Sequence, residues 1–153
     1  MKKGVARMFC LMGLFAMVFS SCHYDPAVDD EYYLKNGMDE PIVFIKMDVD
    51  HNVYDSVTIN PGESALVYWA KGMGCSYFSQ NRDDSGFMGG FPYCITYSDG
   101  RTTYYGPEYP SSDSKHPGLK KYWTILENNS KKHRDEYVVE YTVDDVDYQY
   151  AVE

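Results

Sequence analysis

Val53-Tyr54-Asp55-Ser56-Val57-Thr58-Ile59-Asn60-Pro61-Gly62-Glu63-Ser64-Ala65-Leu66-Val67-Tyr68-Trp69-Ala70 is the stretch from which the fold class follows. Val53, Asp55, Val57 and Ile59 recur every second residue, the period of a strand with one face turned inward. Asn60-Pro61-Gly62-Glu63 then predicts a type II turn, with Pro61 presetting φ and Gly62 taking the positive φ that the turn demands. Ser64 to Ala70 is β-favouring again.

The same rhythm extends outward in both directions. Upstream, Pro41 to Asp48 is the densest strand, with Ile42, Val43, Phe44 and Ile45 apolar on both faces. Before it, Glu31 to Asn36 leads into Asn36-Gly37, a two-residue hairpin signal in which both turn positions take φ > 0. Downstream, Phe91 to Ser98 alternates Tyr93, Ile95 and Tyr97, and Asp99-Gly100 turns the chain into Arg101 to Tyr105. Tyr122 to Glu127 and Tyr137 to Val143 complete the set, separated by the charged turn Lys131 to Glu136. Two segments break the pattern: Lys71 to Gly90, rich in glycine, and Gly106 to Lys121, which holds Pro107, Pro110 and Pro117. Short strands joined by Gly/Pro turns predict an all-β chain, a small antiparallel β-sandwich or barrel-like sheet. The tail admits two readings. Val146, Tyr148, Tyr150 and Val152 alternate as in a hairpin arm, whereas Thr142 with Asp145 three residues on starts a short C-terminal helical turn.

The N-terminus is of another kind. Lys2, Lys3 and Arg7 precede the apolar or small run Met8 to Phe19, which ends in Ser20-Ser21-Cys22. These are the three regions of a secretory signal, and the run is too short to span a ~30 Å hydrocarbon core. Small residues before a cysteine resemble the lipobox of bacterial lipoproteins, with Phe19 where that pattern prefers Leu. The expectation is a signal peptide over residues 1–21, cleavage before Cys22, and acylation of its thiol. Residue 23 is His, unlike the inner-membrane retention signal of such lipoproteins, so the expected location is the outer membrane of the cell envelope. Residues 22–31, with Asp25, Asp29, Asp30 and Glu31, read as a solvated tether, and residues 32–153 as one β-rich domain.

Residues 1–21 carry three basic side chains and no acid, so their removal takes the formal charge from −9 to −12. Such a chain repels nucleic-acid phosphates. It has no overall attraction to an anionic lipid surface either, which leaves membrane attachment to the acyl chains. All 16 tyrosines lie beyond residue 21, an aromatic share that argues against disorder and for strands.

The order of these elements resembles a group of small lipoproteins of Bacteroidetes. The residues that carry the likeness are Tyr33-Leu34-Lys35-Asn36, Val57 to Glu63, Ile95 to Arg101, and Glu140-Tyr141-Thr142-Val143 leading to Asp147-Tyr148. The resemblance covers most of the mature domain. It implies a β-sandwich-like fold and favours the helical turn at the tail, and it brings no catalytic residues with it.

Catalytic and metal-binding chemistry is hard to find. Asp48-Val49-Asp50-His51-Asn52 begins like a calcium loop, but Val53 stands where that loop needs Gly and Ile59 where it needs Glu, so a polar turn is expected. His23, His51, His116 and His133 are scattered as solvated loop histidines would be, without metal-ligand spacing. No metal or cofactor is expected. Cys75 and Cys94 are the thiols left beside Cys22. In an oxidising compartment they read as a disulfide closing a loop of about 20 residues, with inert buried thiols as the alternative.

Binding is the remaining lead. Tyr77, Phe78, Phe87 and Phe91 lie in or beside the Gly-rich segment, and Tyr104, Tyr105 and Tyr109 lead into the Pro-rich one. Loops on a rigid scaffold carry aromatic contacts of this kind, although the same rings also fill cores. Asp55-Ser56-Val57 resembles the Bacteroidetes O-glycosylation sequon, which makes Ser56 a modification candidate. The expected function is a membrane-anchored, non-enzymatic binding or accessory module for a glycan or an envelope protein. The alternative is a structural subunit of an envelope protein complex.

Overall fold

The structure, a computed structural model, describes residues 27–73, 76, 92–106 and 115–153. It is a β-sandwich of nine strands: β1 (Ala27–Asn36), β2 (Ile42–Met47), β3 (Val53–Ile59), β4 (Ser64–Met73), β5 (Tyr93–Thr96), β6 (Thr102–Tyr105), β7 (Trp123–Asn128), β8 (Arg134–Asp135) and β9 (Tyr137–Val143). One sheet has the order β4-β1-β9-β7, with the short β8 also paired to β1; the other has the order β3-β2-β5-β6. The second sheet is antiparallel throughout, as expected. The first is mixed, because β1 runs parallel to β8 and β9 while β4 and β7 run antiparallel to their neighbours.

The core lies between the sheets. Tyr32, Leu34, Val67, Trp123, Val139, Tyr141 and Val143 come from the first, and Ile42, Phe44, Ile59, Tyr93, Ile95, Tyr97 and Tyr105 from the second. The expected alternations account for Ile59 on β3 and for Tyr93, Ile95 and Tyr97 around β5; on β2, read as apolar on both faces, Ile42 and Phe44 point inward and Val43 and Ile45 are half-buried on the other side.

Asn36 and Gly37 do different work from the hairpin expected of them. β1 and β2 belong to opposite sheets, so the chain between them crosses the sandwich. Asn36 is fully buried; its side-chain amide donates to Glu40 O (2.8 Å) and Ile59 O (2.9 Å), and its carbonyl accepts from Met38 N. Gly37 is required by crowding and not by positive φ: a Cβ there would lie 2.7 Å from Val143 O. Gly62 (φ 76°) behaves as the turn chemistry predicts, with Glu63 N bonded to Asn60 O at 3.0 Å. That turn also links the two sheets, since β3 and β4 lie in different ones.

Residues 27–31, expected to belong to a tether, lie within β1. Ala27 to Glu31 is already strand, held by pairing to β4 on one side and to β8 and β9 on the other. At the other end of the chain the helical turn wins, as α1 (Asp145–Tyr148). Its capping box is Asp144 with Asp147, two residues later than the pair expected from Thr142 and Asp145. Val152 still forms a bridge with Thr102, which covers part of the free edge of β6.

Candidate functional site

Strict alternation along β4 would put Trp69 on the same side as Ala65 and Val67, facing the core. Pairing shows otherwise: Leu34 faces Ala65, Tyr33 faces Leu66, and Tyr32 faces Tyr68, so the register slips by one residue at Val67. A β-bulge of this type turns two successive side chains to one face. Val67 and Tyr68 both go inward, and Leu66, Trp69 and Lys71 are left together on the outer face. Trp69 is 51% exposed and Leu66 44% exposed.

The outer face of the first sheet therefore carries an aromatic centre with polar surroundings. Trp69 lies beside Glu31 and Leu66 beside Tyr33; Tyr33 in turn is paired with Glu140 of β9. The Trp69 indole Nε1 donates to Asp29 Oδ1 at 2.7 Å, and Arg134 bridges Asp29 Oδ2 at 2.6 Å. The Trp69 bond, with Lys71 and Arg134 nearby, holds the Asp29 carboxyl below its ordinary range. Lys71 Nζ stands 4.7 Å from the Trp69 ring centroid. Tyr33 OH donates to Glu31 Oε2 at 3.0 Å, and that bond, followed by burial and the Glu31 charge, raises the tyrosine's pKa. Ser64 Oγ donates to Glu140 Oε2 at 2.6 Å. The indole is thus fixed in orientation by its own N–H, with the carboxylates of Asp29 and Glu31 and the Lys71 ammonium beside it on the outer face of the sheet.

A second polar cluster lies inside. Asp147 is fully buried and accepts from Tyr105 OH (3.0 Å), Tyr141 OH, Asp144 N (3.0 Å) and Lys115 Nζ (2.9 Å). Lys115 also reaches Asp144 Oδ2 at 2.7 Å and donates to Thr142 O at 2.7 Å. Tyr97 joins through Thr103, whose Oγ1 bonds Asp147 O. Burial, and then the charge of Asp147, drives the pKa values of Tyr105 and Tyr141 far above that of free tyrosine. Every acceptor here is occupied by the protein, so the cluster is a structural knot that ties α1 to both sheets.

The aromatic candidates separate on exposure. Tyr104 is 46% exposed on the outer face of the second sheet, opposite Cys94. Tyr105 is no surface residue: it is buried, stacked on Tyr93 at 5.2 Å and bonded to Asp147, because alternation along β6 turns it inward. Tyr77, Phe78, Phe87, Phe91 and Tyr109 lie outside the described residues, as do Cys22 and Cys75 and with them the lipidation and disulfide readings. Cys94 carries a free thiol, buried and pushed up to about 11 by that burial. Its register opposite Ile45 puts it on the face away from Tyr93 and Ile95, as the alternation predicts. Ser56 is exposed on the edge strand β3. Trp123, by contrast with Trp69, is a core residue whose Nε1 donates to Pro117 O.

The calcium-like segment is a turn: Asp48 Oδ1 accepts from Asp50 N and Asn52 N, each at 2.9 Å, and His51 takes φ 63°. His116 departs from expectation in being buried, with Nδ1 accepting from Gly118 N. Among the described residues no three His, Cys, Asp or Glu side chains stand together as metal ligands. The chain matches no family model, no curated protein and no solved structure.

Proposed function

We propose that the chain is a lipid-anchored module of the bacterial cell envelope that binds a glycan, non-enzymatically, on the outer face of its first sheet. One observation carries this reading: Trp69 is a half-exposed indole held in place by Asp29, when every incentive of area burial would put a tryptophan inside. A sugar ring offers an apolar face to stack on such an indole, and a rim of hydroxyls that both donate and accept. Glu31, paired with Trp69, and Lys71 over its ring supply both kinds of partner. The fixed orientation of Trp69 lowers the ordering cost of binding. Anchorage through Cys22 in the outer membrane keeps the face outside the cytoplasm.

The test is titration of the purified chain with a panel of oligosaccharides, followed by tryptophan fluorescence and calorimetry. Trp69→Ala should weaken binding by about tenfold or more, the range of a central aromatic contact. If no glycan binds and an envelope protein co-purifies through a contact mapped to Trp69, the face belongs to a protein partner. The chain would then be a subunit of an envelope complex.

A further inference from the structure

The first residue of the fold stands next to the most basic stretch of the chain. Ala27 pairs with Arg134, and its N–H donates to His133 O at 3.0 Å. The turn before β8 is closed on itself, Lys131 N to Arg134 O (2.7 Å) and Arg134 N to Lys131 O (3.0 Å). Lys131, Lys132, His133 and Arg134 are all exposed. On the other side Ala27 pairs with Met73, which is 77% exposed. One end of the first sheet therefore presents, side by side, an apolar Met73, the chain entry at Ala27 and a basic turn.

The charges at this end are unequally committed. Arg134 is occupied by Asp29 (2.6 Å) and Glu136 (3.0 Å), and Asp135 accepts from Ser76 N at 3.0 Å. Among the described residues neither Lys131 nor Lys132 has an ion-pair partner. Asp29 and Glu136 share the one guanidinium of Arg134, Asp135 keeps its charge behind a hydrogen bond, and Lys131 and Lys132 stand exposed in the turn.

The geometry points to this end as a docking surface for the anionic phospholipid headgroups of the leaflet that holds the anchor. The inference rests on the reading of Cys22 as the acylated residue. Only four residues separate Cys22 from Ala27, and the five steps between them reach about 17 Å even when fully extended. The tether carries one acid, Asp25, and cannot hold the Ala27 end away from the bilayer. A net charge of −12 sets the field at long range, but within a Debye length of the surface the outermost charges weigh most, and in the exposed turn Lys131 and Lys132 are the two without an acidic partner among the described residues. Met73 is placed to enter the headgroup layer. With this end down, the sandwich stands on the membrane and the open face around Trp69 points sideways into the aqueous phase.

The full acylated chain, reconstituted in vesicles of phosphatidylglycerol with phosphatidylcholine or of phosphatidylcholine alone, tests this directly. Trypsin cleavage after Lys131 and Lys132 is timed by mass spectrometry against cleavage after Lys120 and Lys121 in the same molecule. The anionic vesicles should slow cleavage at the turn, relative to the internal control, by about fivefold or more, each lysine near the surface contributing about that factor. Salt at about 0.5 M should erase the difference. Equal relative rates on the two vesicles, or protection that salt leaves intact, would overturn the docking surface. Acylation is read separately as the mass of the N-terminal peptide: an unmodified Cys22 sinks the anchor, and with it the geometric basis for docking.

Discussion

Asp30 and Asp147 are both fully buried carboxylates, placed at the two ends of β9: Tyr137 N donates to Asp30 at its start, and Asp144 N to Asp147 just past its finish. They are satisfied in different currencies. Asp147 has a cation, Lys115, as well as two tyrosine hydroxyls and a backbone N–H. Asp30 has hydrogen bonds only, from Ser76 Oγ, Tyr137 N and, at 3.5 Å, Tyr32 OH; among the described residues no cation lies within ion-pair distance. Burial accordingly raises the Asp30 carboxyl above its ordinary value, against the pull of those bonds, and the neighbouring charge of Asp135 adds to the rise. A buried charge needs a counter-charge or it is held at a cost. The Asp147 end is held by a counter-charge, and the Asp30 end, on the first described strand, is held without one.

Removing Asp147 should have the largest effect. Asp147→Ala leaves two core hydroxyls without their acceptor and takes from Lys115 one of its two carboxylates, a loss on the order of 3–5 kcal/mol in chemical denaturation. Asp30→Ala should cost clearly less, and the reverse order would break the contrast. Lys115→Met comes next, at roughly 3 kcal/mol near neutral pH, because it leaves Asp147 in the condition of Asp30. A deficit below about 1 kcal/mol would show that the Lys115–Asp147 pair contributes no more than a surface ion pair.

Asp30→Asn sharpens the sign. A carboxyl whose folded pKa is raised favours folding fully below its unfolded value, and that favour is lost as pH rises through the folded value. The wild-type chain therefore carries a penalty at neutral pH that the amide lacks. Asp30→Asn should lie within about 1 kcal/mol of wild type near pH 7 and become relatively less stable near pH 4. Melting temperatures at the two pH values check it, and a variant that loses ground on going to neutral pH contradicts it. The smallest effect belongs to Trp69→Ala, within about 0.5 kcal/mol in stability. A larger loss would mean that the indole holds the fold together and is not kept for a ligand.

Much of the sandwich was legible along the chain. Ile59, Tyr93, Ile95 and Tyr97 announce their faces by a period of two, and Gly62 and Gly100 sit where their turns take φ of 76° and 87°. Asp30 and Asp147 were not legible, because aspartate in a tether or a tail reads as solvated by default. Asp144 and Asp147, acids three apart at a helix start, leave a trace no stronger than that of Thr142 and Asp145. Tyr105, at the end of an expected strand and next to a Pro-rich segment, reads as a binding aromatic, while its parity opposite to Tyr104 puts it in the core.

What the sequence determined by itself is local: where the chain extends, where it turns, and which residues of an unbroken strand share a face. Backbone sterics and side-chain alternation act over a few residues, so a few residues suffice to reveal them. What only the tertiary structure decided is whatever depends on a partner far along the chain. The register slip at Val67 exists only against Tyr32 and Tyr33 of β1, and it alone turns Trp69 outward. The ion pair of Asp147 needs Lys115, 32 positions away, and the basic turn meets the chain entry only because Arg134 pairs with Ala27. Each of these is fixed by strand pairing across the sandwich, and no local pattern encodes which strands will pair.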